Sequence, residues 1–221
     1  MDPMGVIFDM DGVLVDSYQA HFESWCGLAA RHGVEMAEQQ FMHGFGKTSR
    51  EIISELWGDV ASQADIPAWD AEKEALYRRQ LRTHFPEMDG ASELIRALHE
   101  AGFAMAIGSS GPPENVAVVA ECLPSGGLIA ATVNGHDVDR GKPAPDVFLR
   151  AAEMLNLPPR RCLVVEDAPV GVTAARRANM AVVAITGTVD RAKLAEADRV
   201  VDSLREVTPA IVAELIEKNR E

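Results

Sequence analysis

The chain reads as an α/β protein, a doubly wound and mostly parallel sheet of Rossmann-like type with a helical insertion near its start. Three observations predict this. From about Ala91 onward, short apolar runs alternate with segments of helical periodicity, the pattern of strands joined by crossover helices. One further apolar run, Val6 to Phe8, lies far upstream and is separated from the rest by a helical, strand-poor stretch. Residues able to do chemistry follow several of the apolar runs at once, where open α/β sheets place their ligands.

Val6, Ile7 and Phe8 have the character of a short buried strand. Ser17 is placed to cap a helix running to about Arg31, with Phe22, Trp25, Leu28 and Ala29 at helical spacing and His32-Gly33 as its stop. Ala37 to Met42 precedes a loop at His43–Lys47, and Thr48 or Ser49 caps a helix over Arg50–Trp57. A longer helix is expected over Trp69–His84, with Ala71, Ala75, Leu76 and Leu81 as its apolar positions, ended by Phe85-Pro86. Then come a helix from about Ala91 to Ala101, a strand at Ala104–Gly108, a helix at Pro113–Cys122 and a strand at Leu128–Val133. Pro145–Leu155 follows as a helix with proline near its first turn. A strand at Cys162–Val165, a helix at Pro169–Ala178 and strands at Ala181–Ile185 and Arg199–Val201 complete the alternation before a last helix, Pro209–Asn219. The expected organisation is a core of residues 1–17 and 87–221, with an inserted helical domain at 18–86.

Composition narrows the function classes. The 221 residues are 47% hydrophobic, enough for one sizeable core and a small insertion. With 21 basic and 34 acidic residues the formal net charge is −13, which argues against nucleic acid or an anionic membrane as the main partner. Neither a basic leader followed by an apolar stretch nor a membrane-length run is found, and the three cysteines are widely separated and lack metal-ligand spacing. A cytoplasmic location and a monomer are expected.

The chemistry is concentrated in four places. Asp9 and Asp11 follow the first strand two residues apart, so both acids face one cleft. Two carboxylates that close are tolerable around a cation or with one of them protonated. Gly12 permits a turn with positive φ that exposes loop amides. Ser109 and Ser110 follow the second strand with hydroxyls able to hold phosphate oxygens. Lys142 sits in DRGKPAPD, and Glu166 and Asp167 follow the fourth strand in CLVVEDAPVGV. Each has an ordinary reading taken singly: a turn serine, a solvated loop lysine, an acidic pair at a helix N-terminus. Jointly they supply what phosphoryl transfer demands, charge neutralisation and alignment of nucleophile and leaving oxygen.

In these motifs the chain resembles the haloacid dehalogenase superfamily, and within it the beta-phosphoglucomutase-like subgroup, over essentially its whole length. FDMDGVLVDS is similar to the family's first motif, the Ser109 region to its second, Lys142 in GKPAPD to its third and VVEDAPVGV to its fourth. The resemblance implies a Mg²⁺-dependent phosphotransferase with a helical cap inserted after the first strand. Asp9 would be the nucleophile that becomes an aspartyl-phosphate. Asp11 would act as general acid, then base, and lend its backbone carbonyl to the metal. Ser109 and Lys142 would hold phosphoryl oxygens. Asp167 would bind Mg²⁺, with Glu166 bound directly or through water. An acid at position 11 also speaks against the dehalogenase branch.

In the insertion, His21 lies one helical turn before Trp25, and the resemblance places it at the cap–core hinge near Asp11. Arg50 and Lys73 resemble cap residues that contact the distal part of a substrate. Their ordinary readings are an Arg50 pair with Glu51 or Glu55 on its own helix, a solvated Lys73 and a Trp25 that is plain core. A mutase would carry a lysine after the second-motif serine, whereas this chain has Ser110-Gly111-Pro112-Pro113. The expectation is therefore hydrolysis of a small phosphorylated metabolite such as a sugar phosphate. The alternatives are a beta-phosphoglucomutase-type transfer and an inactive binding protein, which would be expected to have lost Asp9, Asp11 or Asp167.

Overall fold

The computed structural model describes residues 2–44 and 48–219. Phe45, Gly46 and Lys47 of the anticipated 43–47 loop therefore lie outside the described residues. In chain order the elements are β1 (Gly5–Phe8), α1 (Tyr18–His32), α2 (Glu38–Gly44), α3 (Ser49–Trp57), α4 (Ile66–Thr83) and α5 (Ala91–Glu100). Then follow β2 (Ala104–Gly108), α6 (Pro113–Cys122), β3 (Ala131–Val133), α7 (Asp146–Met154) and β4 (Cys162–Glu166). The chain closes with α8 (Pro169–Arg177), β5 (Ala181–Ile185), β6 (Arg199–Val201) and α9 (Pro209–Lys218). They form two compact units, Met1–Asp16 with Pro86–Glu221, and Ser17–Phe85.

The first unit is built on a parallel sheet of order β3-β2-β1-β4-β5-β6. The chain winds outward from β1 to β3, returns to β4 beside β1, and winds outward again to β6. The strand order thus reverses between β1 and β4, and ligands of such sheets bind outside the strand ends at that point. Register decides what meets there. Phe8 is level with Val165 of β4 and with Ile107 of β2. Asp9 therefore leaves β1 beside Glu166, its amide donating to the Val165 carbonyl at 2.9 Å. Strands β1, β4 and β5 are buried throughout, which is why they read as unbroken apolar runs rather than alternating ones. One core layer joins Ile7, Ala106, Phe148, Val164, Val172 and Val182. Strand β3 is shorter than expected, because Gly126–Leu128 forms a 3₁₀ turn ahead of it.

The second unit is helical and has its own core, with Trp25, Leu28, Phe41, Ile53, Trp57, Trp69 and Leu76 among its members. Trp25 meets Trp57 edge to face at 5.7 Å between ring centroids. Helix α1 stops where Gly33 adopts φ 67°. Ser17 precedes α1 without a side-chain capping bond, whereas Thr48 and Glu51 form a reciprocal capping box on α3. Helix α4 departs from the expected apolar stripe. Ala71 and Ala75 face solvent, and the buried side is Ile66, Trp69, Lys73, Leu76, Tyr77 and Leu81. The larger rings and long stems cover more apolar surface than alanine can, so they determine which face turns inward.

Candidate active site

The turn after β1 is tightly wound. The amides of Leu14 and Val15 donate to the Met10 carbonyl at 2.9 and 3.2 Å, and the Gly12 amide donates to the Val15 carbonyl at 2.9 Å. Gly12 has φ 73°, and a Cβ there would lie 2.0 Å from Asp167 Oδ2, so glycine is required both by the turn and by the carboxylate beside it. Asp11 lies in this turn, half-buried and near enough to Asp9 to act on its charge.

Lys142 comes from the loop between β3 and α7, and its ammonium joins the two central strand ends. It donates to Asp9 Oδ1 and to Glu166 Oε1, each at 2.6 Å, and lies 4.8 Å from the Phe148 ring centroid. Glu166 is fixed from its other side as well. Its Oε2 accepts from the amides of Asp167 at 2.7 Å and Ala168 at 2.8 Å, just ahead of α8. Asp167 Oδ2 accepts from the Thr188 hydroxyl. Ser109 is buried at the end of β2, and its Oγ accepts from the Gly111 amide at 3.0 Å, which leaves the hydroxyl proton to be donated elsewhere. Ser110 is exposed beside it.

Burial dominates the electrostatics. It pushes the Asp9 carboxyl up to about 7, with Glu166 and Asp11 adding to the effect and Lys142 opposing it. Burial likewise pushes Asp167 up to about 8, helped by Glu166 and Asp9 and opposed by Thr188 and Lys142. For Lys142, burial alone would lower the ammonium, but Asp9 and Glu166 outweigh it and hold it above the ordinary lysine value.

Carboxylate oxygens of Asp9, Glu166 and Asp167 lie within 4.8 Å of one another. These are hard oxygen donors of the kind Mg²⁺ takes. Three carboxylates against one ammonium leave a formal excess of −3 + 1 = −2 when all are ionised, which one divalent cation would balance. The residues present therefore fit the metal that the fold family implies.

In the helical unit His21 stacks on Tyr77 with centroids 3.9 Å apart. Lys73 is buried rather than solvated. Its Nζ lies 2.9 Å from His21 Nδ1 and 2.8 Å from Glu74 Oε1, and 5.4 Å from the Trp25 ring centroid. Because an ammonium only donates, His21 Nδ1 accepts here, which assigns the neutral Nε2–H tautomer. Arg50 is exposed and bonds Asp70 of α4 at 2.8 Å, so its pairing reaches across to another helix rather than along its own.

Gly171 and Thr188, neither given a role by the sequence, support these carboxylates. Gly171 supplies the space that the Glu166 carboxylate fills, since a Cβ on it would lie 1.6 Å from Glu166 Oε1. Its position in EDAPVGV was visible, but its reason was not. Thr188, after β5, carries no motif signal and is brought in only by the fold.

Comparison with known proteins agrees with this geometry. The family model for haloacid dehalogenase-like hydrolases matches residues 3–179. Hexitol phosphatase A of Escherichia coli (strain K12) is 36% identical over 209 residues, covering 92% of this chain and 93% of that protein. Validoxylamine A 7'-phosphate phosphatase of Streptomyces hygroscopicus subsp. limoneus is 31% identical over 213 residues, covering 91% and 94%. In structure, beta-phosphoglucomutase from Clostridium difficile superposes with a TM-score of 0.82 at 23% identity over 98% of both chains, a likeness of fold. Motif order, sheet order and matched length agree, and the chain belongs to the haloacid dehalogenase-like hydrolases, among phosphatase relatives.

Proposed function

We propose that the protein is a Mg²⁺-dependent phosphomonoesterase that hydrolyses a small phosphorylated metabolite of the sugar or polyol phosphate class through an aspartyl-phosphate on Asp9. The observation that carries this reading is the Lys142 ammonium bridging Asp9 and Glu166 at 2.6 Å each, at the point where the sheet reverses. Lys142 holds Asp9 by Oδ1, so Oδ2 is the attacking oxygen, and the same ammonium reduces repulsion between Asp9 and an incoming phosphate. The Ser109 hydroxyl donates to a phosphoryl oxygen. Asp11 gives its proton to the leaving alkoxide and then takes one from the attacking water. Asp9, Glu166, Asp167 and the Asp11 carbonyl would hold Mg²⁺, which when bound supplies charge neutralisation at the phosphoryl group. We read the helical unit as a cap that contributes His21, Arg50 and Lys73 as contacts to the rest of the substrate, with Ser110 of the first unit as a further binding contact.

Hydrolysis is favoured over a mutase by charge pairing. A mutase must hold a bisphosphate, and a second phosphate calls for unspent positive charge. Lys73 and Arg50 are already paired with Glu74 and Asp70, each at 2.8 Å. The relatives named for a hexitol and for a validoxylamine phosphate support a hydroxyl-rich substrate. The test is hydrolysis of an aryl phosphate and of a panel of sugar and polyol phosphates, with Mg²⁺ and with EDTA. Release of inorganic phosphate only with Mg²⁺ is expected. No phosphate release from any of them by folded protein would refute the reading, and conversion of beta-glucose 1-phosphate to glucose 6-phosphate without free phosphate would favour the mutase.

A further inference from the structure

The carboxylates of the site are held very unequally. Asp9 is held by Lys142, and Glu166 by Lys142 and two backbone amides. Among the described residues, the only hydrogen bond to the Asp167 carboxylate comes from the Thr188 hydroxyl, to Oδ2. On its other side Oδ2 rests against Gly12, whose backbone would admit no side chain there. Thr188 is presented from a loop that is itself anchored. The Thr186 amide donates to the Val201 carbonyl at 3.0 Å, and the Thr186 hydroxyl donates to Asp202 at 2.8 Å. Arg191 then pins the far end of the loop to Asp202 at 2.7 Å and to the Val200 carbonyl at 2.8 Å.

Resting on the function proposed above, we infer that Thr188 is a positioning residue for the metal site. Its hydroxyl fixes the rotamer of Asp167 by holding Oδ2, so that the carboxylate presents Oδ1 for the cation beside Asp9 and Glu166. A carboxylate that must be reoriented before it can bind costs affinity, and partners of this kind typically contribute about 10- to 100-fold to metal binding. The side chain at 188 is exposed, so its replacement does not disturb the core.

The test compares Thr188→Val, which keeps the shape without the hydroxyl, with Thr188→Ser, which keeps the hydroxyl. Mg²⁺ binding to the substrate-free protein is measured by titration calorimetry, the Mg²⁺ dependence of aryl phosphate hydrolysis by activity, and folding by the melting temperature in EDTA. Thr188→Val is expected to weaken Mg²⁺ binding by about tenfold or more and to raise the half-activating Mg²⁺ concentration in parallel. Turnover at saturating Mg²⁺ and the melting temperature in EDTA should stay near wild type, and Thr188→Ser should bind Mg²⁺ like wild type. Equal Mg²⁺ binding by Thr188→Val and wild type overturns the assignment while leaving the phosphatase reading intact. So does a Thr188→Ser protein as weak as Thr188→Val, since packing would then be the cause. A wild-type protein that binds no Mg²⁺ overturns both.

Discussion

The carboxylate of Glu166 occupies the space in which a side chain at Gly171 would begin, 1.6 Å from the nearest oxygen to a Cβ built there. Glu166 is 1% exposed and has both oxygens engaged, so it has nowhere to retreat. Gly171→Ala should therefore displace the glutamate, break its bond to Lys142 and overpack the site. A stability loss of about 1–3 kcal/mol is expected, with a large fall in phosphatase activity. Urea unfolding checks the first and aryl phosphate hydrolysis the second, and an alanine variant with wild-type values for both would show that the glutamate can move at little cost.

Lys142 is shared by two buried acids, Asp9 and Glu166. Lys142→Met keeps much of the volume but leaves Asp9 and Glu166 without their ammonium. Removing one partner of a buried ion pair costs about 3–5 kcal/mol, and part of that is recovered where Asp9, whose carboxyl is pushed up to about 7, takes up a proton. The loss should thus be smaller at pH 6 than at pH 8, as read from melts in EDTA at both pH values. Activity should be lost at either pH.

The metal-free protein should become less stable as pH rises. Asp9 and Asp167 titrate at about 7 and about 8 when folded, above the 3.8 of an ordinary aspartate. The native state then binds more protons than the unfolded one, and their contribution is full below about pH 4 and lost as pH climbs through 7 to 8. A divalent cation replaces those protons, so Mg²⁺ should raise the melting temperature more at pH 8 than at pH 6. Melting curves with EDTA and with Mg²⁺ across pH 5.5–8.5 test this, and an equal Mg²⁺ increment at every pH would contradict it.

Asp9→Asn should abolish turnover, by about a thousandfold or more if the residue is the nucleophile, without unfolding the chain. Asp11→Asn should form phosphoenzyme from an aryl phosphate, whose leaving group needs no acid, and release it slowly. Acid-quenched protein analysed by mass spectrometry would show the phosphate on Asp9 in the second variant and none in the first.

Lys73 is buried among Trp25, Tyr77, His21 and Glu74. Lys73→Ala should strip the nearly buried Glu74 of its ammonium partner, and Lys73→Ala with Glu74→Gln should recover part of the lost stability. A double-mutant cycle by thermal unfolding measures the coupling, expected at about 1–3 kcal/mol. A coupling of zero would assign Lys73 to substrate contact alone.

Much of the first unit was legible because periodicity and motif position point the same way. A strand buried on both faces, such as Cys162–Glu166, reads as an apolar run, and the acids that end it stand where the sheet binds ligands. The register that sets Asp9 beside Glu166, and the role of Gly171, come from backbone pairing and local volume, to which residue type is blind. Thr188 was invisible for a related reason: a hydroxyl after a strand is commonplace, and only the loop after β5 brings it to Asp167. In the second unit, helix α4 misled because Ala71 and Ala75 count as apolar while Lys73 counts as charged. Ring stacking and an internal carboxylate reverse that ranking, burying the lysine and exposing the alanines.

The Asp16 amide donates to the Pro86 carbonyl at 2.8 Å, and Val15 bridges Glu87 in antiparallel fashion. The chain therefore departs from the first unit and rejoins it at adjacent points, tied by the first unit's own peptide groups. Once that tie forms, the intervening segment is a closed loop whose length weighs only logarithmically on the entropy of the first unit. Exchange of the whole segment for another of different size, or for a short turn joining Asp16 to Pro86, is then compatible with an undisturbed sheet. The first unit can in this way keep its own side chains in place while the segment between Asp16 and Pro86 is replaced wholesale.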